Sequence, residues 1–375
     1  MRIAVLTSSR ADYGIYQPLL RRLEKDPFFD LEIIVFGTHL SRQYGYTISN
    51  IQEDGFIIAA KIESLILGDT PEAISSAIGL TTLKFSSLWA AKKEHYDLVF
   101  CLGDRYEMYA AVSAGIPFNI KFAHIHGGEK TLGAIDNTFR HCISLMSDYH
   151  FATTEIYADR LRQLLETENN DHVYNVGSLS LDNIADVELF SLKEFKEHFD
   201  IDLTKPTILF TWHPETVDTE TNVSNIKEIL ETLTQLENYR VVITMPNADT
   251  MGNRVRHEIN QFVSQNKNRI RSVESFGIKG YFTCLKHCSF VMGNSSSGII
   301  EAASFGKYVV NIGNRQKGRA SGLNVLHAKA DKNSILKVVN KIENSEPPQK
   351  ENIYYNGGAA DKILQILKTT NYNRQ

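Results

Sequence analysis

A serine-rich turn near the C-terminal end of the sequence has the residue types that bind phosphate. Ser295 and Ser296 stand in the run Gly-Asn-Ser-Ser-Ser-Gly at 293–298, between an apolar run that predicts a strand and a helical pattern at 299–305. A helix start offers free backbone N–H groups and the positive end of the helix dipole, and both favour phosphate. Glu301 follows within about one helical turn and is predicted to reach a sugar hydroxyl beside the phosphate. An ordinary helix cap with spare serines is the alternative.

Two loops of the first half have residues suited to anion binding and to acid–base chemistry. Arg10 follows the first predicted strand and can bind a diphosphate through two parallel N–H bonds, unless it pairs with Asp12. Asp104 follows a later strand, where a general base would stand, or it caps the next helix. Capping would explain Asp104 but not the adjacent Arg105, which is a candidate binding residue.

The densest polar loop of the chain contains His126, Glu129 and Asp136, which are candidate acids or bases. Two glycines in this loop leave room for a substrate. Simple loop polarity, with Asp136 as a helix cap, is the alternative. In the second half, His213 follows a strand and can donate to a phosphate or to a leaving oxygen. Arg315 lies in a cationic loop near the serine-rich turn, where it would neutralise a pyrophosphate or remain solvated.

The elements that must position these residues alternate between apolar strand-like runs and helical patterns, as in a buried parallel sheet. The predicted strands are 3–6, 31–36, 97–102, 120–125, 150–152, 173–176, 207–211, 240–244, 270–273, 290–292 and 308–312. The predicted helices include 14–25, 71–92, 106–114, 136–146, 155–165 and 359–368. The sequence therefore predicts an α/β fold of two Rossmann-like, doubly wound domains.

A break in the alternation after Gly177 predicts the domain boundary. We expect an N-terminal domain at 1–176, with a C-terminal helix at about 355–375 packing back on it, and a C-terminal domain at 177–354. Two doubly wound domains place a ligand in the cleft between them, at the carboxyl ends of the strands.

Composition and motifs exclude several classes of protein. The chain has 375 residues, of which 22% are charged, and its net charge of −4 gives no reason to expect nucleic acid as a partner. The first loop lacks the GxGxxG spacing of dinucleotide sites, so we expect no NAD. The four cysteines do not complete a zinc-binding set, so no metal is expected. No apolar run is long enough to span a membrane, and the N-terminal run is typical of a strand, which together predict a cytoplasmic protein with no membrane partner.

Taken in order, the motifs resemble those of the hydrolysing UDP-N-acetylglucosamine 2-epimerases, a family that includes enzymes of sialic-acid biosynthesis. The resemblance runs over nearly the whole chain and implies a fold of the glycosyltransferase-B type. Each motif alone is weak, whereas the ordered set is specific. The motifs are Arg10-Ala11-Asp12-Tyr13, Gly103-Asp104-Arg105, His124-Ile125 with Gly127-Gly128-Glu129, Ile135-Asp136, Arg140-His141, His213-Pro214, Gly293-Asn294-Ser295-Ser296, and Arg315-Gln316 with Gly318-Arg319.

The resemblance implies roles for most of the candidate residues, and we expect a catalytic and sugar-binding N-terminal domain and a UDP-binding C-terminal domain. The implied UDP-binding residues are Ser295, Ser296 and Arg315 at the diphosphate, with Arg10 and His213 nearby, and Glu301 at the ribose. Asp104 and Asp136 are implied as acid–base carboxylates at the sugar, and we predict that His126, Glu129 and His213 are catalytic as well. Asp182 is implied to contact the sugar, and Arg105 is predicted to bind it too.

The implied reaction eliminates UDP from UDP-N-acetylglucosamine and rehydrates the resulting 2-acetamidoglycal to N-acetylmannosamine. No hydride moves in it, so no NAD is expected, and arginines with a helix start take the place of a metal. Weak Mg²⁺ dependence stays open. The family also implies a homodimer or a homotetramer.

Two departures from the family pattern bear on the substrate. Many members carry Glu where this chain has His126, and several carry Lys where it has Ile15. Both positions are expected to face the sugar, so the alternative substrate is UDP-2,4-diacetamido-2,4,6-trideoxyglucose, of the legionaminic-acid pathway. An imidazole can also take over proton transfer from the missing carboxylate. A non-hydrolysing 2-epimerase, a glycosyltransferase and a UDP-sugar-binding protein without chemistry remain as alternatives.

Overall fold

The computed structural model describes residues 1–68, 70–166, 172–215, 220–246 and 252–370. The chain forms two compact units. The first contains Met1–Glu129, Asp136–Asn183 and the chain from Tyr354 onward, and the second contains Lys130–Ile135 and Ile184–Ile353. The short segment after Glu129 thus belongs to the second unit, although its neighbours in the chain on both sides belong to the first.

The first unit is built on a parallel sheet of seven strands. These are β1 (Arg2–Thr7), β2 (Asp30–Phe36), β3 (Ile58–Ile62), β4 (Leu98–Leu102), β5 (Phe122–Ile125), β6 (Tyr149–Ala152) and β7 (Val173–Asn175). Their order in the sheet is β3-β2-β1-β4-β5-β6-β7. The helices between them are α1 (Arg10–Lys25), α2 (Ile48–Glu53), α3 (Pro71–Lys92), α4 (Tyr106–Gly115), α5 (Asp136–Leu145) and α6 (Glu155–Leu164). Helix α7 (Leu179–Asp186) follows β7, and its residues up to Asn183 belong to this unit.

Burial on both faces explains why the central strands are continuous apolar runs. In β1, Ile3 and Val5 belong to the core on one face of the sheet, and Ala4 and Leu6 belong to the core on the other face. All four side chains are fully buried. Because helices cover both faces, such a strand has no polar face that would produce an alternating sequence pattern.

The second unit is built on a parallel sheet of six strands in the order β10-β9-β8-β11-β12-β13. These are β8 (Thr207–Thr211), β9 (Arg240–Thr244), β10 (Ile270–Val273), β11 (Phe290–Gly293), β12 (Val309–Ile312) and β13 (Val325–Ala328). The helices are α8 (Leu192–Phe199), α9 (Asn222–Gln235), α10 (Gly252–Gln265), α11 (Gly277–His287), α12 (Ser296–Ile300) and α13 (Lys332–Glu343). The last helix, α14 (Ala359–Thr369), packs in the first unit, where Arg22 of α1 and Asp361 form an ion pair of 2.8 Å.

Both sheets have the strand order of a Rossmann fold, and this confirms the predicted fold class. The order reverses between β1 and β4 in the first unit and between β8 and β11 in the second. Ligands of open parallel sheets bind beside the carboxyl ends of the strands at such reversals. The loops that follow these four strands are therefore the places to examine for a site in each unit.

Several elements differ from the sequence-based expectations. Strands β3 and β13 are absent from the strands predicted from the sequence. Each lies at the edge of its sheet and carries partly exposed side chains, so neither has the fully apolar run of a buried strand. The polar stretch that we expected after Gly177 contains two short helices, α7 and α8, each of eight residues. Short helices with mixed composition give a weak periodic signal, which explains why the sequence did not reveal them.

Candidate active site

The loop after β1 is held in place by Asp12, a buried residue that accepts hydrogen bonds at both carboxylate oxygens. Oδ2 accepts from the Ser8 backbone N–H at 2.8 Å, and Oδ1 accepts from the Ser9 backbone N–H at 2.8 Å. Ser9 is the N-cap of α1, and Asp12 completes a capping box with it. Arg10 is therefore the first residue of α1, exposed at the carboxyl edge of the sheet.

Arg140 lies at the buried centre of the first-unit site. Its guanidinium group donates a hydrogen bond from Nη2 to Asp104 Oδ2 and another from Nη1 to the Glu129 carbonyl oxygen at 3.0 Å. The Arg140 side chain is 2% exposed and that of Asp104 is 25% exposed. Arg140 stands about one turn after Asp136, the first residue of α5. The guanidinium thus joins the loop after β4 to the loop after β5 and brings three of the predicted catalytic residues into one neighbourhood.

His124, on β5, links the loop after β4 to helix α5 without carrying a charge. Its Nε2 lies 2.8 Å from the Gly103 carbonyl oxygen, and its Nδ1 lies 3.0 Å from the Ser144 hydroxyl. Burial lowers the pKa of His124 to about 3, so the imidazole is neutral at pH 7. Because the Gly103 carbonyl can only accept, the proton of the neutral imidazole sits on Nε2.

His126 and Glu129 form a buried pair, with 3.0 Å between His126 Nδ1 and Glu129 Oε1. The same carboxylate oxygen accepts a hydrogen bond from the Thr153 hydroxyl at 3.0 Å. His126 Nε2 is buried and has no hydrogen-bond partner among the described residues. The backbone φ of His126 is 68°, in the left-handed region that residues other than glycine rarely adopt. Backbone outliers of this kind cluster at functional sites.

The glycines of this loop are required by packing. Gly128 has a φ of +77°, and a Cβ there would lie 2.4 Å from the Tyr157 carbonyl oxygen on α6. We expected these glycines to leave room for a substrate. The structure shows instead that Gly128 lets the loop pass close to the α6 backbone, and this holds His126 and Glu129 against the sheet edge.

Two predicted sugar-binding residues make structural bonds. Arg105 pairs with the buried Glu107, with 3.0 Å between Nη2 and Oε1. Both oxygens of Asp182 accept backbone N–H groups at the start of α14, from Ala359 at 3.1 Å and from Ala360 at 2.7 Å. Burial raises the pKa of Asp182 above its ordinary value. Sugar contacts of Arg105 and Asp182 therefore stay predictions.

Asn294 joins three loops of the second unit. Its Oδ1 accepts from the His213 backbone N–H at 2.7 Å, and its Nδ2 donates to the His213 carbonyl oxygen at 2.8 Å. The Asn294 carbonyl oxygen accepts from Gln316 Nε2 at 2.9 Å and from Arg315 Nη1 at 3.3 Å. The loops after β8, β11 and β12 thus meet at one buried amide, which places Arg315 beside the serine-rich turn.

Glu215 supports the loop that carries Arg315. Glu215 is buried, and its Oε1 accepts a hydrogen bond from the Asn314 backbone N–H at 2.7 Å. On the opposite side, Gly133 of the segment Lys130–Ile135 packs so closely that a Cβ there would lie 2.5 Å from the Asn314 carbonyl oxygen. The backbone just before Arg315 is therefore held from two directions.

The serine-rich turn differs from the prediction in its helix. Ser295 is the N-cap of α12, and its hydroxyl accepts from the Ser297 backbone N–H at 3.4 Å. The single helix expected at 299–305 is wrong: α12 has five residues and ends at Ile300, and a 3₁₀ turn follows. So short a helix has a smaller dipole, so any anion binding here would depend mainly on hydroxyl and N–H groups and on Arg315.

Glu301 is held at the end of α12 by a hydroxyl pair. The Ser297 hydroxyl donates to Glu301 Oε2 and is also hydrogen-bonded to the Tyr281 hydroxyl. Burial raises the pKa of Tyr281 above its ordinary value, so this phenol stays neutral. The turn itself depends on Gly293, where a Cβ would lie 1.9 Å from the Thr211 carbonyl oxygen of β8.

Among the described residues, no group of three or more His, Cys, Asp and Glu side chains is arranged to hold a metal ion. Within the same part of the chain, no helix has both the length and the apolar character needed to cross a membrane. All four cysteines are free, and Cys101, Cys284 and Cys288 are buried core residues.

The two sheets and their polar loops define an α/β protein of the glycosyltransferase-B type. A crystal structure of UDP-GlcNAc 2-epimerase from Neisseria meningitidis, bound to UDP-GlcNAc, matches with a TM-score of 0.80. The match covers 99% of this chain and 100% of that chain at 19% sequence identity, so it shows the fold alone.

Sequence comparison identifies the family within this fold. Residues 21–368 match the family model described as UDP-N-acetylglucosamine 2-epimerase. The chain belongs to this family, and this confirms the resemblance found in its motifs.

Two relatives are similar to the chain over most of their length. The GDP/UDP-N,N'-diacetylbacillosamine 2-epimerase (hydrolyzing) of Campylobacter jejuni is 33% identical, covering 92% of this chain and 88% of its own. The UDP-N,N'-diacetylbacillosamine 2-epimerase (hydrolyzing) of Legionella pneumophila is 33% identical, covering 98% of this chain and 96% of its own.

Buried neutral histidines predict a loss of stability in acid. Burial lowers the pKa of His150, on β6, to about 4, whereas an unfolded chain has a histidine pKa of about 6.5. The unfolded chain therefore binds a proton that the folded chain excludes, so this contribution to stability is complete above pH ~6.5 and is lost as the pH falls toward 4. His150→Asn should reduce the pH dependence of the unfolding free energy, by at most about 1.4 kcal/mol per pH unit.

The measurement is urea unfolding at a series of pH values from 7 down to 4.5. His257→Asn, at an exposed position, is the matched control and should leave the pH dependence unchanged. An identical slope for His150→Asn and the wild type would contradict the prediction.

Proposed function

We propose that the protein is a hydrolysing UDP-sugar 2-epimerase that converts a UDP-linked 2-acetamido sugar and water into UDP and the free sugar inverted at C2. The observation that carries the proposal is the network in which Arg140 joins Asp104 to the loop of His126 and Glu129. It concentrates acid–base groups at the carboxyl edge of one sheet, in a chain that belongs to the 2-epimerase family.

The chemistry explains why such residues are needed. The C2 hydrogen of an N-acetylhexosamine has no neighbouring carbonyl on the ring, so simple deprotonation is slow. In an α-linked gluco sugar, the C2 hydrogen and the leaving oxygen at C1 lie trans-diaxial, and anti elimination removes both. A hydroxyl group from water then adds to C1, while C2 takes a proton on the opposite face. Two proton-transfer groups are required, and Asp104, His126, Glu129 and Asp136 are the candidates.

The nucleotide would be held by residues of the second unit and by Arg10. We assign the diphosphate to Ser295, Ser296 and Arg315, because a guanidinium and hydroxyl groups are good partners for phosphate oxygens. His213 is assigned to the leaving oxygen, since its backbone is held by Asn294 beside the same turn. Glu301 is assigned to the ribose hydroxyls. The reaction transfers no hydride. The absence of a cofactor and the presence of a homo-oligomer stay predictions, and weak Mg²⁺ dependence stays open.

Two substrates have support. UDP-N,N'-diacetylbacillosamine, which is the 2,4-diacetamido-2,4,6-trideoxy sugar, is supported by the two relatives that are 33% identical and carry its name. UDP-N-acetylglucosamine is supported by the name of the family model. The first substrate would place the enzyme before synthesis of a legionaminic-type acid, and the second before synthesis of a sialic acid.

Product analysis tests the proposal. Purified protein is incubated with each UDP-sugar in H₂¹⁸O, and the products are identified by mass spectrometry and NMR. We expect free UDP and a manno-configured sugar with ¹⁸O at C1. Return of a UDP-linked manno sugar would indicate a non-hydrolysing epimerase. Release of UDP without inversion at C2 would contradict the proposed function, as would no reaction with either sugar.

Asp104→Asn should lower kcat/KM by about two to four powers of ten, the usual contribution of a positioned acid or base. Affinity for UDP should stay within a few-fold, because the assigned diphosphate contacts lie elsewhere in the chain. Steady-state kinetics and calorimetric UDP titration measure the two effects.

A matched control for Asp104→Asn is Glu155→Gln, which neutralises another arginine-paired carboxylate of the first unit, 2.9 Å from Arg162. It should keep wild-type activity. Near-full activity of a folded Asp104→Asn variant would remove Asp104 from the catalytic residues.

Arg315→Ala should weaken UDP binding about 10- to 100-fold, the value of a charge-assisted hydrogen bond of about 1.5–3 kcal/mol. Arg271→Ala removes the same charge from an exposed position of the second unit and should leave the affinity unchanged. Calorimetric titration with UDP compares the two variants. Equal affinities would show that Arg315 does not hold the diphosphate.

A further inference from the structure

We infer that His126 is a proton-transfer residue at the sugar, that its Nε2 is the atom that accepts the proton, and that Glu129 is its positioning residue. The inference rests on the proposed function and deepens it. It assigns one proton-transfer step to one atom and gives the neighbouring carboxylate a supporting role.

The hydrogen bonds determine which nitrogen of His126 is available. A carboxylate only accepts, and Glu129 Oε1 lies 3.0 Å from His126 Nδ1 while it also accepts from the Thr153 hydroxyl. The shared proton therefore sits on Nδ1. In a neutral imidazole, the other nitrogen then carries a lone pair. Nε2 is thus a base, with its tautomer set by Glu129.

Nε2 also lacks a partner, which points to a ligand. The His126 residue is 6% exposed, and Nε2 makes no hydrogen bond with any described residue. A buried polar atom without a partner costs about 1–3 kcal/mol, so proteins rarely keep one unless a bound group completes it. The left-handed backbone of His126 adds a second local cost at the same residue. The unpartnered Nε2 and the left-handed backbone thus both lower the stability at His126, and a sugar hydroxyl bound at Nε2 would supply the missing hydrogen bond.

The titratable groups on neighbouring strands do not compete for the proton. His124 on β5 and His150 on β6 are buried, and burial lowers their pKa values to about 3 and about 4. Both imidazoles stay neutral near pH 7. Glu129 is therefore the one anionic side chain shown in contact with His126 among the described residues.

The cations around the loop bind its backbone. Arg140 of α5 donates to the Glu129 carbonyl oxygen at 3.0 Å, and Arg160 of α6 donates to the Gly128 carbonyl oxygen at 2.6 Å. Both arginines hold the loop in place. Glu129, 3.0 Å from Nδ1, can stabilise the imidazolium that forms when Nε2 takes a proton, as the carboxylate does in other histidine–carboxylate pairs.

In the proposed elimination, His126 takes the proton and UDP takes the electrons of the broken C1–O bond. The Nε2 lone pair takes the C2 proton, the electrons of the C2–H bond form the C1–C2 double bond, and the C1–O bond breaks with its electrons leaving on UDP. The imidazolium then releases its proton to solvent. Asp104, a carboxylate in its pair with Arg140, is the candidate for the second group: it takes a proton from the water whose hydroxyl adds to C1 and gives a proton to C2 on the opposite face.

Two substitutions at position 126 test the inference on whichever UDP-sugar the wild type converts. His126→Asn keeps a residue that tolerates the left-handed backbone but removes the base. It should lower kcat about 10²- to 10⁴-fold with little change in UDP affinity. His126→Glu restores a base of another kind, a carboxylate, at the same position. It should recover part of the activity that His126→Asn loses, which would not happen if His126 had a merely structural role.

Glu129→Gln tests the positioning role. The amide oxygen can still accept from Nδ1, but the negative charge is gone, so kcat should fall more than KM rises. A merely structural role would not separate kcat from KM in this way.

The matched control is His95→Gln, which removes another histidine of the first unit that lies near a glutamate, 3.5 Å from Glu32. It should not change kcat or KM. If the wild type converts neither sugar, the proposed function fails before these variants are made. If the wild type is active and folded His126→Asn keeps its rate, or if His126→Glu recovers none of the lost rate, the inference is overturned while the function stands. Should His126→Asn not fold, Glu129→Gln decides, because an unchanged kcat of that variant overturns the inference.

Discussion

The first-unit site depends on the buried guanidinium group of Arg140. A charge that is almost fully removed from water costs several kcal/mol unless it is paired and hydrogen-bonded. Arg140 meets this requirement by pairing with the Asp104 carboxylate and donating to the Glu129 carbonyl oxygen. Moving either the loop of Asp104 or the loop of Glu129 away would leave the buried charge without that partner and would cost stability. The same bonds that stabilise the fold therefore bring the candidate acid–base residues together.

In the second unit, a neutral side chain, that of Asn294, joins the loops. Asn294 is fully buried, and its amide and carbonyl groups serve His213, Arg315 and Gln316. A neutral amide adds no charge of its own beside the serine-rich turn, where Arg315 supplies a positive charge. This arrangement suits an anionic ligand, whereas the first unit combines an ion pair with neutral histidines in a way that suits proton transfer.

The structure also separates residues that look alike in the sequence. Asp104 and Asp182 are both aspartates in polar loops, yet Asp104 is partly exposed beside Arg140, whereas Asp182 has both oxygens on the first amides of α14. Asp12 is likewise committed to its own loop. Among these carboxylates, Asp104 is the one whose surroundings suit exchange of a proton with a substrate.

The sequence by itself determined the two parallel sheets, the loops that carry the candidate residues and the family. Buried strands and helical spacing are local patterns, and the order of the motifs along the chain can be seen without knowing any contact. Only the tertiary structure decided that Arg140 pairs with Asp104, that Asn294 joins the loop of His213, and that Asp182 serves α14. These partners are separated by 36, 81 and 177 residues. Which loops meet depends on how the strands order themselves in a sheet, and no local pattern of residues contains that order.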